Sequence, residues 1–106
     1  MDYKFTVVVP VYNEEDNLLR VEQEFLSYFE NATLHTKVLF VNDGSKDSSQ
    51  ELIEDICERN EGFEYVSFAK NAGLSAAIKA GFDHTYTELV GYIAVSYTHL
   101  TLPTKA

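Results

Sequence analysis

Four apolar runs rich in β-branched residues alternate with three helical patterns along this 106-residue chain. The first run, residues 5–11, is almost continuously apolar, as is typical of a strand buried on both faces. The other three predicted strands are residues 37–41, 63–68 and 89–93. Because strands joined by crossover helices lie parallel, this order predicts an α/β fold, a parallel sheet with flanking helices.

The segments between these strands carry apolar residues at helical spacing. The three stripes are Leu18, Val21, Phe25 and Phe29; Leu52, Ile53, Ile56 and Cys57; and Leu74, Ala77, Ile78, Gly81 and Phe82. Asn13 is the predicted N-cap of the first helix, and the three acidic residues after it suit the positive end of the helix dipole. Ser48 and Glu51 have the spacing of a capping box at the start of the second helix.

Length and charge narrow the classes of function. A chain of 106 residues allows one small domain with a modest core. Its 17 acidic residues outnumber 8 Lys and Arg residues, which gives a formal net charge of −9. This balance argues against nucleic-acid binding and against docking on anionic lipid through a basic face.

The sequence also carries indications of its compartment. It has no apolar run near the roughly 20 residues that span a bilayer. The first four residues lack the charged-then-apolar pattern of a signal peptide. A single cysteine, Cys57, excludes an internal disulfide and fits a reducing compartment. We therefore expect a cytoplasmic protein.

Ligands of parallel α/β sheets bind beyond the carboxyl ends of the strands, which directs attention to three loops. In the first loop, residues 10–15, Tyr12 could stack on a flat base and Glu14 could accept hydrogen bonds from a base or ribose. The alternative for Glu14 is an acidic residue that only complements the helix dipole. In the second loop, residues 42–48, Asp43 either accepts an N–H group of a base or bonds the backbone of its turn.

The third loop, residues 69–73, opens a helix, so its free backbone N–H groups can hold an anion beside Lys70. The alternative is a solvated lysine next to a capping asparagine. The sequence contains neither G-x-G-x-x-G nor a P-loop. His35, His84 and His99 lack metal-ligand spacing, and Cys57 lies on an apolar helical face where packing explains it.

Taken together, these loops resemble the N-terminal part of a family-two glycosyltransferase. The segments that carry the resemblance are residues 7–15, 41–47 and 71–77, followed by Gly91-Tyr92-Ile93. The pattern is similar to that of dolichyl- or polyprenyl-phosphate sugar synthases. The resemblance implies the Rossmann-like nucleotide-binding half of a GT-A fold, a UDP- or GDP-linked sugar as donor, and a lipid-phosphate or glycan acceptor. It also implies a longer parent enzyme, at the cytoplasmic face of a membrane.

The resemblance further implies a binding site for the donor nucleotide. Its residues would be Pro10, Tyr12, Glu14, Val41, Asp43, Lys70, Asn71 and Gly73. The first three would line the base and ribose pocket, and Val41 and Asp43 would hold the base. The last three would lie near the phosphates or the sugar of the donor.

The sequence departs from the family pattern after Ile93. The pattern expects Asp-x-Asp there, whose carboxylates bind Mg²⁺ or Mn²⁺ in the parent enzyme. Here the three positions hold Ala94, Val95 and Ser96, and Asp-x-Asp occurs nowhere in the chain. We therefore predict no metal ligands and no catalytic residues in this chain, and negligible turnover.

Residues 95–106 resemble a reading-frame translation of a transposon-type sequencing adapter. We therefore predict a truncated nucleotide-binding domain over residues 1–94 and a non-native tail over residues 95–106; the alternative is a genuine C-terminus. For function, the alternative is a non-catalytic α/β module that binds a nucleotide or a partner. A receiver-type domain is one such module. It needs a paired acidic residue at the end of the first strand, but this sequence has Tyr12 and Asn13 there.

Overall fold

The computed structural model describes residues 3–95. The chain runs through β1 (Phe5–Val11), α1 (Leu18–Asn31), β2 (Thr36–Asn42), α2 (Ser49–Arg59), β3 (Phe63–Ser67), α3 (Leu74–His84) and β4 (Leu89–Tyr92). Within the described residues these strands form a parallel sheet in the order β3-β2-β1-β4. The predicted α/β fold is confirmed, and each strand end lies within one residue of its predicted position. The predicted tail beyond Val95, including His99, lies outside the described residues.

The core lies on both faces of the sheet, because successive side chains of a strand point to opposite sides. On one face Val7, Val9 and Phe40 pack against α1 and α2. On the other face Val8 and Leu39 pack against α3. Helices on both faces make the strands continuously apolar, which is the pattern that predicted them. Across residues 3–95, the structure has no helix long and apolar enough to cross a membrane.

Helix α3 lies unusually close to the central strand. A Cβ atom at Gly81 would be only 2.4 Å from Cγ1 of Val8, so this position accepts no side chain as packed. The predicted apolar stripe of α3 is only partly buried. Leu74 is 59% exposed and Phe82 is 42% exposed, although the ring of Phe82 lies 6.5 Å from the ring of Tyr92 in β4.

Of the two predicted helix caps, Asn13 is wrong and Ser48 is correct in position only. Helix α1 begins at Leu18 rather than directly after Asn13, and Asn13 adopts a left-handed backbone with a φ of 53°. Ser48 precedes α2 but makes no capping hydrogen bond through its side chain. Instead the N–H group of Ser49 donates to Oδ1 of Asp47 at 2.9 Å. The side chains of these polar loops bond mainly across to other loops, which local sequence patterns do not reveal.

An ion pair between the buried Glu22 and the half-exposed Arg59 joins α1 to the end of α2. The guanidinium of Arg59 donates to both carboxylate oxygens of Glu22, at 2.9 and 2.7 Å, and Asn60 adds a third hydrogen bond at 2.6 Å. The hydrogen bonds from Arg59 are the largest influence on Glu22 and hold the pKa of this carboxyl below its usual value, against the effect of burial.

Cys57 of α2 faces the core, as its helical position predicted. Burial, with a smaller contribution from Glu64, raises the pKa of the Cys57 thiol to about 11. The thiol is therefore protonated at neutral pH and acts as a packing group.

Candidate functional site

A cleft of about 310 Å³ opens at the carboxyl ends of β1 and β2. The predicted site residues that line it are Pro10, Tyr12, Glu14, Asp43, Asn71 and Gly73, joined by Val11, Leu74, Ala94 and Val95. A larger cleft, of about 480 Å³, lies at the opposite ends of the strands near Tyr3 and His35 and contains none of the predicted residues. The smaller cleft is the candidate site, because ligands of parallel sheets bind at the carboxyl ends.

Two predicted residues are not brought to this cleft. Val41 is fully buried within β2, on the sheet face that packs against α3. Lys70 is exposed and is not among the residues that line the cleft. Their assignment to the donor site stays a prediction, and the structure offers no side-chain contact that supports it.

Asp43 binds the loop that opens α3. Its buried carboxylate accepts hydrogen bonds from the backbone N–H groups of Ala72 at 2.6 Å and Gly73 at 3.0 Å. The side-chain amide of Asn71 donates to the same carboxylate at 2.9 Å. The carboxylate of Asp43 thus supplies a negative charge at the N-terminal end of α3, where the sequence predicts that an anionic ligand binds. Asp43 bonds the backbone of the third loop rather than of its own turn, and it also lines the cleft, so its contact with a base stays a prediction.

The same loop lies directly on Gly44. This glycine has a φ of +70°, and a Cβ atom there would be 2.4 Å from the backbone nitrogen of Asn71. Only glycine fits at this point, since both the backbone conformation and the close approach exclude a side chain. Asp43 and Gly44 together hold the second and third predicted loops against each other.

Hydrogen bonds also join the segment of residues 12–17, which overlaps the first predicted loop, to residues 43–48 of the second loop. The backbone N–H group of Asn13 donates to Oγ of Ser45 at 2.9 Å. In return, the backbone N–H group of Lys46 donates to Oδ1 of Asn13 at 2.8 Å. This reciprocal pair holds Asn13 in its left-handed conformation.

The connection continues along the two residues that follow Asn13. The N–H group of Glu14 donates to Oγ of the buried Ser49 at 2.9 Å, and the N–H group of Glu15 donates to Oδ2 of Asp47 at 3.2 Å. The N–H group of Ser48 donates to Oε1 of Glu15 at 2.8 Å. We call the side chains that make these bonds the loop clasp: Asn13, Glu15, Ser45, Asp47 and Ser49.

Sequence reasoning missed the loop clasp. Its residues are short and polar, which predicts turns and caps and gives no information about which loop they will bond. A signal was nevertheless present, because Ser45, Asp47 and Ser49 alternate directly after a strand. Burial pushes the pKa of Asp47 upward, but hydrogen bonds from Ser49 and from the backbone of Glu15 outweigh it, and the pKa lies below its usual value.

The residues of the cleft do not fit a divalent ion. Ala94 lines the cleft at the position where the sequence pattern expects a carboxylate, and its methyl group cannot bind a metal. The Asp43 carboxylate already binds the 71–73 loop. Over residues 3–95, the structure has no group of three or more side chains of the metal-binding types.

A parallel sheet with a cleft at the carboxyl ends of its strands is the architecture of α/β proteins that bind nucleotides. Residues 6–102 match the family described as Glycosyl transferase family 2, and the chain belongs to that family. The resemblance seen in the sequence is thereby confirmed.

The curated relatives are several times longer than this chain. It is 32% identical over 96 residues to the putative glycosyltransferase CsbB of Bacillus subtilis (strain 168), a match that covers 91% of this chain and 29% of the relative. It is also 32% identical over 87 residues to the bactoprenol glucosyl transferase of Shigella phage SfX, covering 82% of this chain and 28% of that protein. The chain therefore spans under a third of the length of these relatives.

Solved structures establish the GT-A type of fold. Residues 1–349 of S. aureus TarS in complex with UDP match with a TM-score of 0.68 and 21% identity, over 87% of this chain and 27% of that one. The mannosyltransferase PcManGT from Pyrobaculum calidifontis, in complex with GDP-Man and Mn²⁺, matches with a TM-score of 0.67 and 21% identity, over 85% and 26% of the two chains. At this identity the likeness concerns the fold.

Proposed function

We propose that the cleft binds the nucleotide of a UDP- or GDP-linked sugar, and that the longer parent transfers this sugar to a lipid phosphate of the polyprenyl class. The observation that carries the proposal is the convergence of three separate loops, predicted from sequence, on one cleft at the strand ends. The names of relatives support the acceptor class, since one is a bactoprenol glucosyl transferase and another a dolichyl-phosphate beta-glucosyltransferase. Such acceptors lie in membranes, so the proposed place of action is the cytoplasmic face of a membrane.

Each side chain of the cleft has a role that its chemistry allows. Tyr12 is 43% exposed, so its ring is available to stack on a base. Glu14 accepts a hydrogen bond from Asn17 at 2.9 Å through Oε1, which orients its carboxylate toward a ribose hydroxyl donor. Asp43 holds the 71–73 loop beside the phosphates and can share its remaining acceptor capacity with the base.

The reaction of the parent follows from the acceptor. A lipid phosphate is largely ionised at neutral pH, so it attacks the anomeric carbon of the donor sugar with little help from a base. The oxygen–carbon bond forms as the bond from that carbon to the nucleotide diphosphate breaks. In the parent, Mg²⁺ or Mn²⁺ is expected to stabilise the departing diphosphate. The described residues of this chain do not provide its ligands, so we assign this chain binding without turnover.

The test is a calorimetric titration of the purified chain with UDP and with GDP. The variant Tyr12→Ala removes the stacking surface and should weaken binding by about tenfold, which is the usual contribution of one stacked base. Tyr65→Ala is the matched control, because Tyr65 is 40% exposed and lies on the edge strand β3 outside the cleft. The control should bind within about twofold of the unaltered chain.

Two results would contradict the proposal. Absence of binding to either nucleotide at millimolar concentration would remove the donor site. Equal weakening by both tyrosine variants would move binding away from the cleft. The first result would favour a non-catalytic α/β module that binds a partner, and the second a non-catalytic module that binds a nucleotide elsewhere.

A further inference from the structure

Tyr12 and Glu14 belong to a segment that neither a strand nor a helix supports. This segment, residues 12–17, connects the end of β1 to the start of α1. Asn13 lies between the two cleft residues in the left-handed region, with a φ of 53°. A residue other than glycine pays an energetic penalty in that region, so surrounding contacts must hold it there.

Three consecutive backbone N–H groups of this segment bond side chains of the neighbouring loop and helix start. The N–H groups of residues 13, 14 and 15 donate to Ser45, Ser49 and Asp47, at 2.9, 2.9 and 3.2 Å. None of these three acceptor residues is among those that line the cleft. The backbone direction on both sides of Glu14 is therefore fixed by residues that do not face the ligand site.

Asp47 uses both carboxylate oxygens in this arrangement. Oδ2 accepts from the N–H group of Glu15, and Oδ1 accepts from the N–H group of Ser49 at 2.9 Å. Ser49 is the first residue of α2, and its own hydroxyl accepts from Glu14. Asp47 therefore ties the first loop directly to the start of a helix, which is a rigid support.

We propose that Asp47 is a positioning residue for nucleotide binding: through the loop clasp it sets the backbone of residues 13–15 and so places Tyr12 and Glu14 in the cleft. This inference rests on the proposed function, because the placed side chains are those that would contact the nucleotide. It assigns a role to a residue that makes no ligand contact of its own.

The variant Asp47→Asn tests the proposal with little change of shape. Its Oδ1 can still accept from Ser49, but an NH₂ group replaces Oδ2 opposite the N–H group of Glu15, and two donors cannot bond each other. We expect UDP to bind about tenfold more weakly, with backbone amide exchange at residue 15 accelerated. The matched control is Asp55→Asn, which makes the same change at an exposed position of α2 and should leave both quantities unchanged.

A mutant cycle in the Tyr12→Ala/Glu14→Gln background distinguishes positioning from general stability. If Asp47 acts by placing these two side chains, Asp47→Asn should weaken UDP binding much less in that background than in the unaltered chain. The same factor in both backgrounds would overturn the proposal, as would unchanged binding by Asp47→Asn. Binding of UDP to neither the unaltered chain nor any variant would overturn the proposed function, and the positioning role with it.

A second pair of variants keeps the test decisive if Asp47→Asn folds poorly. Asn13→Asp retains the Oδ1 acceptor for Lys46 and a residue type that tolerates the left-handed region, so it should bind UDP nearly as well as the unaltered chain. Asn13→Ala loses both properties and should bind about tenfold more weakly. Equal binding by these two variants would contradict the proposed action of the loop clasp.

Discussion

Asp43 shows how much a single residue of this site does at once. The carboxylate has about four acceptor positions, and Asn71, Ala72 and Gly73 fill three of them in the described structure. Its position after β2 could be predicted from sequence, because Asp-Gly after an apolar run indicates a turn at a strand end. Its bonds to a loop about 30 residues further along could not be predicted, since they depend on the sheet order.

The remaining acceptor position of Asp43 predicts a preference between bases. Uracil offers one N–H donor on its pairing edge, whereas guanine offers two adjacent donor groups and would leave one of them unmatched. We expect UDP to bind about fivefold more tightly than GDP, which corresponds to about one unmade hydrogen bond. Calorimetric titration of both nucleotides at one pH measures this ratio. Tighter binding of GDP would show that Asp43 does not discriminate in this way.

At the scale of helices and strands, the order of elements was predictable and their junctions were not. The apolar runs of β1 and β2 and the stripe of α1 follow from periodicities that local sequence carries. The sequence predicts that α1 starts directly after Asn13, which is too early, because an asparagine before acidic residues has the pattern of an N-cap. In the structure that asparagine bonds Ser45 and Lys46 instead, and such long-range partners leave no periodic signal.

The contact between α1 and α2 predicts how stability depends on pH. The pKa of Glu22 is lowered in the folded chain by Arg59, so its stabilising effect is complete above its ordinary value of 4.5 and is lost as the pH falls through the lowered folded value. We expect Glu22→Gln to reduce the free energy of unfolding by about 2 kcal/mol at pH 7, since it leaves Arg59 with a weaker partner.

Urea unfolding of Glu22→Gln and of the unaltered chain at pH 7 and near pH 3 measures this dependence. The difference between them should shrink at the lower pH, because that pH lies below the ordinary pKa of 4.5 for this carboxyl. Glu30→Gln is the control, because it removes the same charge from an exposed position of α1. A difference that stays constant with pH would show that the ion pair contributes little.

At the scale of the whole molecule, the cleft joins three loops into one binding surface, and residues 3–95 contain no group of three or more side chains of the metal-binding types. Ala94 and Val95 form its wall beside β4, and neither side chain carries an oxygen atom. We therefore predict that UDP binds to this chain with the same affinity, within about twofold, in EDTA and in excess Mn²⁺.

A sugar-release assay of this chain with a UDP-linked sugar, in the same two buffers, should show no turnover above the level without protein. Calorimetry in the two buffers supplies the affinities, and Ala94→Asp is a useful comparison because it places a carboxylate in the wall of the cleft. A marked gain in UDP affinity with Mn²⁺ for the unaltered chain would contradict the prediction and would indicate metal ligands outside residues 3–95.

The contact of Gly81 with Val8 has a consequence at a distance. Gly81 and Gly73 are separated by eight residues, which is about 12 Å along a helix. A Cβ atom at Gly81 would lie 2.4 Å from Cγ1 of Val8, so the glycine lets α3 pack closely on β1, and the same helix follows the 71–73 loop at its other end. A methyl group at position 81, between α3 and β1, would push the helix away from the strand. We therefore expect the width of the cleft to depend on the absence of a Cβ atom at Gly81, although Gly81 does not line the cleft.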